Sequence, residues 1–161
     1  MKLLLIPLLS LLVASQAHAA GRTGLAEVRT GANGIPCFTI PAGEGGTGSA
    51  PDFEAIIVSA AGGAVLWRMS MPRERTFPVS AAMCIPYAGR VQALPQTPAA
   101  PLENGKLYGV QIDTRPARGG RQPSRYLARF CLLRAPGGQP RVRQIGAGAR
   151  TENGADAGCS P

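Results

Sequence analysis

Hydrophobic positions along this chain fall into short runs, either wholly apolar or alternating with polar residues, separated by glycine, proline and asparagine. Alternation over about four to eight residues, bounded by such turn residues, is typical of β-strands. No segment is a convincing helix. The pattern predicts an all-β domain with strands at 25–30, 35–40, 53–60, 64–70, 77–80, 90–94, 106–114, 125–134 and 141–145.

Two pairs of neighbouring strands are predicted most directly. In 53–60, Phe53, Ala55 and Ile57 alternate with Glu54, Ile56 and Val58, so this strand is apolar on both faces, as a central strand is. A turn at 61–63 then leads into 64–70 and makes a hairpin. Strand 106–114 follows the turn signal Asn104-Gly105, and its expected neighbour is 125–134.

The N-terminal segment has the composition of an export signal. Lys2 supplies a positive charge, an apolar run of about eleven residues follows, and Ala17-His18-Ala19 is a small-x-small cleavage site. Spanning a bilayer takes about 20 apolar residues, so the run is too short for a stable anchor. We expect a signal peptide at 1–19, a mature chain that begins at Ala20, and a periplasmic or secreted location.

The mature length predicts one domain stabilised by disulfides. Residues 20–145 are expected to form it, and 146–161 to be a flexible tail tethered by Cys159. An oxidising compartment favours disulfides among the four cysteines, which allow three complete pairings. The four are Cys37, Cys84, Cys131 and Cys159. Consecutive cysteines are 47, 47 and 28 residues apart, and none forms a Cys-x-x-Cys pair, so no metal site is predicted.

Positive charge is concentrated late in the chain. The net charge is +8, and no acid lies between Asp113 and Glu152. The connection 115–124 is rich in proline and glycine, so we predict an exposed loop whose arginines dock an acidic protein partner. An ordinary solvated basic face is the alternative, whereas nucleic acid is not expected, because stacking aromatics are missing. The predicted partner-binding residues are Arg115, Arg118, Arg121 and Arg125.

Catalytic chemistry finds little support. The only histidine, His18, is lost with the signal peptide, which removes the usual base for a serine or cysteine nucleophile. Glycines at 43–48 match the spacing of a dinucleotide fingerprint, but Pro51 and a strand follow where a helix is required. The carboxylates that remain are ordinary surface acids in their spacing. We therefore predict that the protein is not an enzyme and uses no cofactor.

Four short motifs, in order, resemble those of small periplasmic proteins, often lipoproteins, that are assigned as type VI secretion immunity proteins. They cover roughly residues 28–134, although this chain has no cysteine before Cys37 to carry a lipid. The motifs are Asn33-Gly34-Ile35-Pro36-Cys37-Phe38, Cys84-Ile85-Pro86, Gly105-Lys106-Leu107-Tyr108 and Tyr126-Leu127-Ala128-Arg129-Phe130.

The resemblance implies a single immunoglobulin-like β-sandwich in which Cys37 pairs with Cys84 and Cys131 with Cys159. It also implies a binding role, most concretely the neutralisation of a secreted effector in the periplasm. A structural or envelope-associated β-sandwich without a toxin partner is the alternative function.

We predict cleavage after Ala19, because the Ala-x-Ala site follows an apolar run too short to span a membrane. Mass spectrometry of the exported protein should place Ala20 at the N-terminus. An intact Met1 in the periplasmic fraction, or a lipidated product, would contradict this prediction.

Overall fold

The computed structural model describes residues 22–43, 50–117, 120–146 and Cys159. The segment 1–19 predicted as a signal peptide, the predicted cleavage site at Ala19 and Ala20, and most of the segment 146–161 predicted as a tail lie outside these residues. Nine strands and a 3-10 turn at Ala32–Gly34 make up the regular structure of the described residues. The strands are β1 (Thr23–Leu25), β2 (Glu27–Thr30), β3 (Pro36–Thr39), β4 (Asp52–Ala60), β5 (Val65–Ser70), β6 (Ile85–Pro86), β7 (Leu107–Arg115), β8 (Arg125–Arg134) and β9 (Pro140–Ile145).

The strands form two sheets, as expected for an all-β sandwich. The larger sheet has the order β1-β8-β7-β4-β5, and β9 also pairs with β8; the smaller has the order β2-β3-β6. Strand β8 pairs with β7 along one edge, while its other edge is shared by β1 at 125–127 and β9 at 129–134. The order β8-β7-β4-β5 matches the G-F-C-C′ order of a variable-type immunoglobulin sheet.

One apolar core lies between the sheets. Phe38 of the small sheet and Phe130 of the large sheet have ring centroids 5.4 Å apart, and Tyr108 lies 5.6 Å from Phe130. Trp67 packs edge-on against Tyr87 at 5.5 Å. These aromatic contacts occur where the two inner faces meet, so a chain with few rings places most of them in one cluster.

The predicted strand pairs are confirmed, except that Phe53 lies on the other face of its strand. Strand β4 is central, paired with β5 and β7, and β7 pairs antiparallel with β8. The expectation that Phe53 shares a face with Ala55 and Ile57 is wrong. A bulge between Phe53 and Ala55 shifts the pairing, so that Phe53 joins Ile56 and Val58 in the core.

Two predicted strands are wrong and one is divided. Within 77–80 only Pro78 forms a bridge, to Asp52, flanked by hydrogen bonds from the Phe53 amide to the Phe77 carbonyl and from the Val79 amide to the Pro51 carbonyl. The pairing does not extend, because from Ala55 onward β4 pairs with β5. Segment 90–94 is a turn, with Ala93 in left-handed backbone at φ 68°. The predicted strand 25–30 divides at Ala26, where the chain leaves the large sheet and enters the small one.

Both disulfides implied by the resemblance are present. Cys37 bonds Cys84 with Cα atoms 5.4 Å apart, and Cys131 bonds Cys159 with Cα atoms 5.7 Å apart. The first joins β3 to the residue before β6. The second brings Cys159 over the outer face of the large sheet, where a small cluster of Leu107, Cys131, Ile145 and Cys159 is buried. Such crosslinks indicate an oxidising environment. No helix among the described residues is long and apolar enough to cross a membrane.

A seam of side-chain hydrogen bonds joins the sheets beside the core. Gln144 of β9 accepts a bond from the Val28 amide at 2.7 Å and donates to the Ala26 carbonyl at 3.0 Å. Thr30 Oγ1 accepts a bond from the Val142 amide at 3.1 Å. The Gln144 amide thus substitutes for a strand partner along β2.

We predict that Gln144→Ala lowers the free energy of unfolding by about 1 to 2 kcal/mol, because the Val28 amide of β2 and the Ala26 carbonyl just before it lose their partner. Urea titration of the disulfide-intact protein measures the effect. The neighbouring exposed residue provides a control, Arg143→Ala, whose change should stay within about 0.5 kcal/mol. Equal effects of the two substitutions would show that the seam does not stabilise the fold.

Candidate functional site

The structure describes three of the four arginines predicted to bind a partner, and their surroundings differ. Arg115 donates to the backbone carbonyls of Arg73 and Arg75 at 3.2 and 3.1 Å, and so fixes the loop that follows β5. Arg125 donates to Asp113 at 2.9 Å across the β7–β8 ladder. Arg121 is exposed, and Arg118 lies outside the described residues. Two of the three described arginines therefore already bind groups of the same chain.

The loop itself is attached to the sheet at both ends. Thr114 donates its hydroxyl to the Pro123 carbonyl at 2.8 Å, and its amide to the Ser124 carbonyl at 2.9 Å. The Ser124 amide in turn bonds the Arg22 carbonyl at 3.0 Å. These bonds direct the chain into β8 beside β1, so that Arg125 lies on the outer face of the large sheet rather than at a loop tip.

A groove of about 760 Å³ lies on this outer face, and we call it the sheet-face groove. Its central cross-strand row follows directly from the register of four strand pairs. Reading across β1, β8, β7, β4 and β5, the row is Leu25, Leu127, Gln111, Ile57 and Arg68. Leu25 and Leu127 lie side by side and remain 59% and 40% exposed. The row therefore presents apolar side chains to solvent.

The rows on either side give the groove its depth and its charge. In one, Gly109 lies between Ser59 and Arg129, and the missing side chain deepens the floor. An added Cβ at Gly109 would meet only Ser59 Oγ, at an ordinary 3.5 Å. In the other row Asp113 is held by Arg125 and by Gln111, whose amide reaches both carboxylate oxygens at 3.0 and 2.8 Å. The negative charge of Asp113 is thus neutralised by Arg125 on the same face of the sheet.

A second concavity, of about 460 Å³, opens beside the end of β5, and we call it the methionine cleft. Met69 and Met71 line it from β5 and the residue after it, and Met83 from the residue before Cys84. Phe77 and Val91 are also part of its lining and stay 37% and 48% exposed. The cleft shares no lining residue with the sheet-face groove.

Shifted pKa values fall outside both surfaces. Burial raises the pKa of Tyr87 to about 12, and the nearby Tyr108 adds to the rise. Tyr87 donates its hydroxyl to the Ala100 carbonyl at 2.6 Å. On the small sheet, the hydrogen bond from Arg29 lowers the pKa of Glu27. These shifts arise from burial and from a surface ion pair, so they mark structural contacts rather than a reactive site.

Acidic residues lie on the paired strands β4 and β7, namely Asp52, Glu54 and Asp113, and Asp113 is bound by Arg125. Lys106 is exposed after a turn, and residues 44–48 of the glycine-rich run lie outside the described residues. Within the described part of the chain, no three histidine, cysteine or acidic side chains lie close enough to hold a metal ion. Comparison with protein-family models, curated proteins and solved structures gives no significant match.

Sequence reasoning missed both concave surfaces for identifiable reasons. The groove depends on parallel pairing of β1 with β8, which brings Leu25 beside Leu127 from distant parts of the chain. The methionine cleft had a signal that was overlooked, because every methionine after Met1 falls within residues 69–83. Neither feature follows from strand periodicity alone.

Proposed function

We propose that this protein is an exported periplasmic binding protein that captures an acidic protein partner on the sheet-face groove. Its role is that of an immunity protein, which neutralises a secreted effector by covering it. The observation that carries the proposal is the exposed pair Leu25 and Leu127, where the edge strand β1 meets β8 on a basic sheet face.

Apolar exposure supports a macromolecular partner. The solvent face of a sheet normally carries polar side chains, whereas this one has two paired leucines that are about half exposed, with Ile57 in the same row. Burying one leucine side chain contributes about 1.5 to 3 kcal/mol, which corresponds to about ten- to a hundredfold in affinity. Leu25 and Leu127 are therefore a suitable anchor for a partner's apolar side chains.

Charge on the same face supports an acidic partner. Arg68 ends the central row, and Arg125 and Arg129 lie two residues on either side of Leu127 on β8. Among the described residues of these three rows the acid is Asp113, which pairs with Arg125. The described rows thus carry a net positive formal charge beside the leucine pair, which steers association with a negatively charged protein.

The proposed role is tested by competition between bacteria. A strain that lacks the gene should lose fitness when grown in contact with its parent, and should recover when the parent's effector-secretion system is inactivated. Plasmid-borne wild-type protein should restore resistance. Leu127→Ser should not, because it removes the apolar anchor, and Gly109→Val should not, because it fills the groove at a position where a larger side chain fits a strand.

A matched control separates loss of the anchor from loss of a surface apolar side chain. Ile35 is 42% exposed, about as much as Leu127 at 40%, but it does not line the groove. Ile35→Ser should therefore rescue as well as wild type. Thermal melts of each exported variant check that folding is kept. No contact-dependent loss in the deletion strain would overturn the immunity role. Equal rescue by all variants would overturn the groove as the docking surface.

A further inference from the structure

We propose that the methionine cleft is a binding site for an aliphatic carboxylate, with the acyl chain among the methionines and the carboxylate at Arg75. The site is separate from the sheet-face groove and independent of the immunity role. Its volume of about 460 Å³ lies within the range of small-molecule pockets, about 300 to 1,000 Å³.

The lining fits an apolar chain without a fixed shape. Met69, Met71 and Met83 are the only methionines beyond Met1, and all three line the cleft. Thioether side chains are unbranched and polarizable, so they adjust to a flexible occupant better than rigid side chains do. Phe77 and Val91 leave apolar area in solvent that an acyl chain would cover. This composition favours an aliphatic ligand over a polar one.

The charge of the cleft fits an anionic head group. Arg75 is the one charged residue among the described lining, and Thr76 and Gln92 add a hydroxyl and an amide. The acid next to it in sequence, Glu74, does not line the cleft, and no ion pair of Arg75 occurs within the described residues. A guanidinium with neighbouring hydrogen-bond donors is a suitable partner for a carboxylate.

The wall that carries Arg75 is held in place from the large sheet. Arg115, at the end of β7, donates to the carbonyls of Arg73 and Arg75, which lie on either side of Glu74. On the opposite side, the disulfide at Cys84 anchors the segment that carries Met83. The cleft is therefore bounded by two segments with fixed attachments, as a preformed ligand site requires.

Methyl NMR of the exported protein, labelled with carbon-13 at the methionine methyl groups, tests this proposal. After signal cleavage the chain carries three methionines, so each resonance reports on the cleft. Sodium decanoate, kept below its critical micelle concentration, should shift all three resonances saturably. Decyltrimethylammonium, which has the same chain length and the opposite head-group charge, should give no saturable shift.

Variants then separate the roles of chain and charge. Arg75→Gln should weaken decanoate binding about tenfold, the loss of one charge-assisted contact. Arg121→Gln, an exposed arginine outside the cleft, should bind decanoate like wild type. Failure of decanoate to shift the methyl resonances would overturn the site. If Arg75→Gln bound decanoate as tightly as wild type, the assignment of the carboxylate to Arg75 would be overturned. Equal binding of decanoate and decyltrimethylammonium by the wild type would overturn it as well.

Discussion

The disulfide between Cys37 and Cys84 is the contact on which the arrangement of the irregular half of this domain depends. Between β5 and β7 the chain runs through residues 71–106 with only the two-residue strand β6, too little to position a long segment by itself. The disulfide joins the start of β6 to β3, and the Tyr87 amide adds a hydrogen bond to the Pro36 carbonyl at 2.8 Å. In the chain-entropy description, closing the loop between Cys37 and Cys84, which are 47 residues apart, stabilises the fold by about 4 kcal/mol. Tyr87 is thereby held against Trp67, and Met83 is held in the lining of the methionine cleft.

The two faces of the large sheet have different surroundings. The inner face is filled by the aromatic cluster around Phe130, and the Gln144 seam closes the edge beside it. The outer face is covered at one end, where Cys159 lies over Leu107 and Ile145. Beyond that cluster Leu25 and Leu127 remain in solvent among arginines. The disulfides thus fix a rigid scaffold, and the surfaces left uncovered on it are those that we assign to ligands.

The sequence predicted what local pattern controls and missed what depends on distant partners. The β4–β5 and β7–β8 pairs were predictable because alternation and glycine turns act over short stretches of chain. Segments 77–80 and 90–94 have apolar residues suited to strands, but β4 pairs with β5 from Ala55 onward, which leaves 77–80 one bridge at Asp52, and Ala93 turns the chain. The disulfide pairing followed only from the resemblance, since four cysteines allow three pairings. Leu25 and Leu127 meet through a parallel pairing that no local pattern encodes. The β7–β8 pair was predictable, but the exact register that places Arg125 opposite Asp113 was not.

The most direct test of this account is hydrogen exchange on two variants that each lack one disulfide. Cys37→Ala with Cys84→Ala removes the contact that positions residues 80–94, whereas Cys131→Ala with Cys159→Ala removes a crosslink of the opposite face. The account predicts that amides in 80–94, Tyr87 included, exchange faster in the first variant, while β7 and β8 keep their protection. The second variant should leave 80–94 protected as in wild type. Unchanged protection of 80–94 in the first variant, or an equal loss across the whole domain, would contradict it.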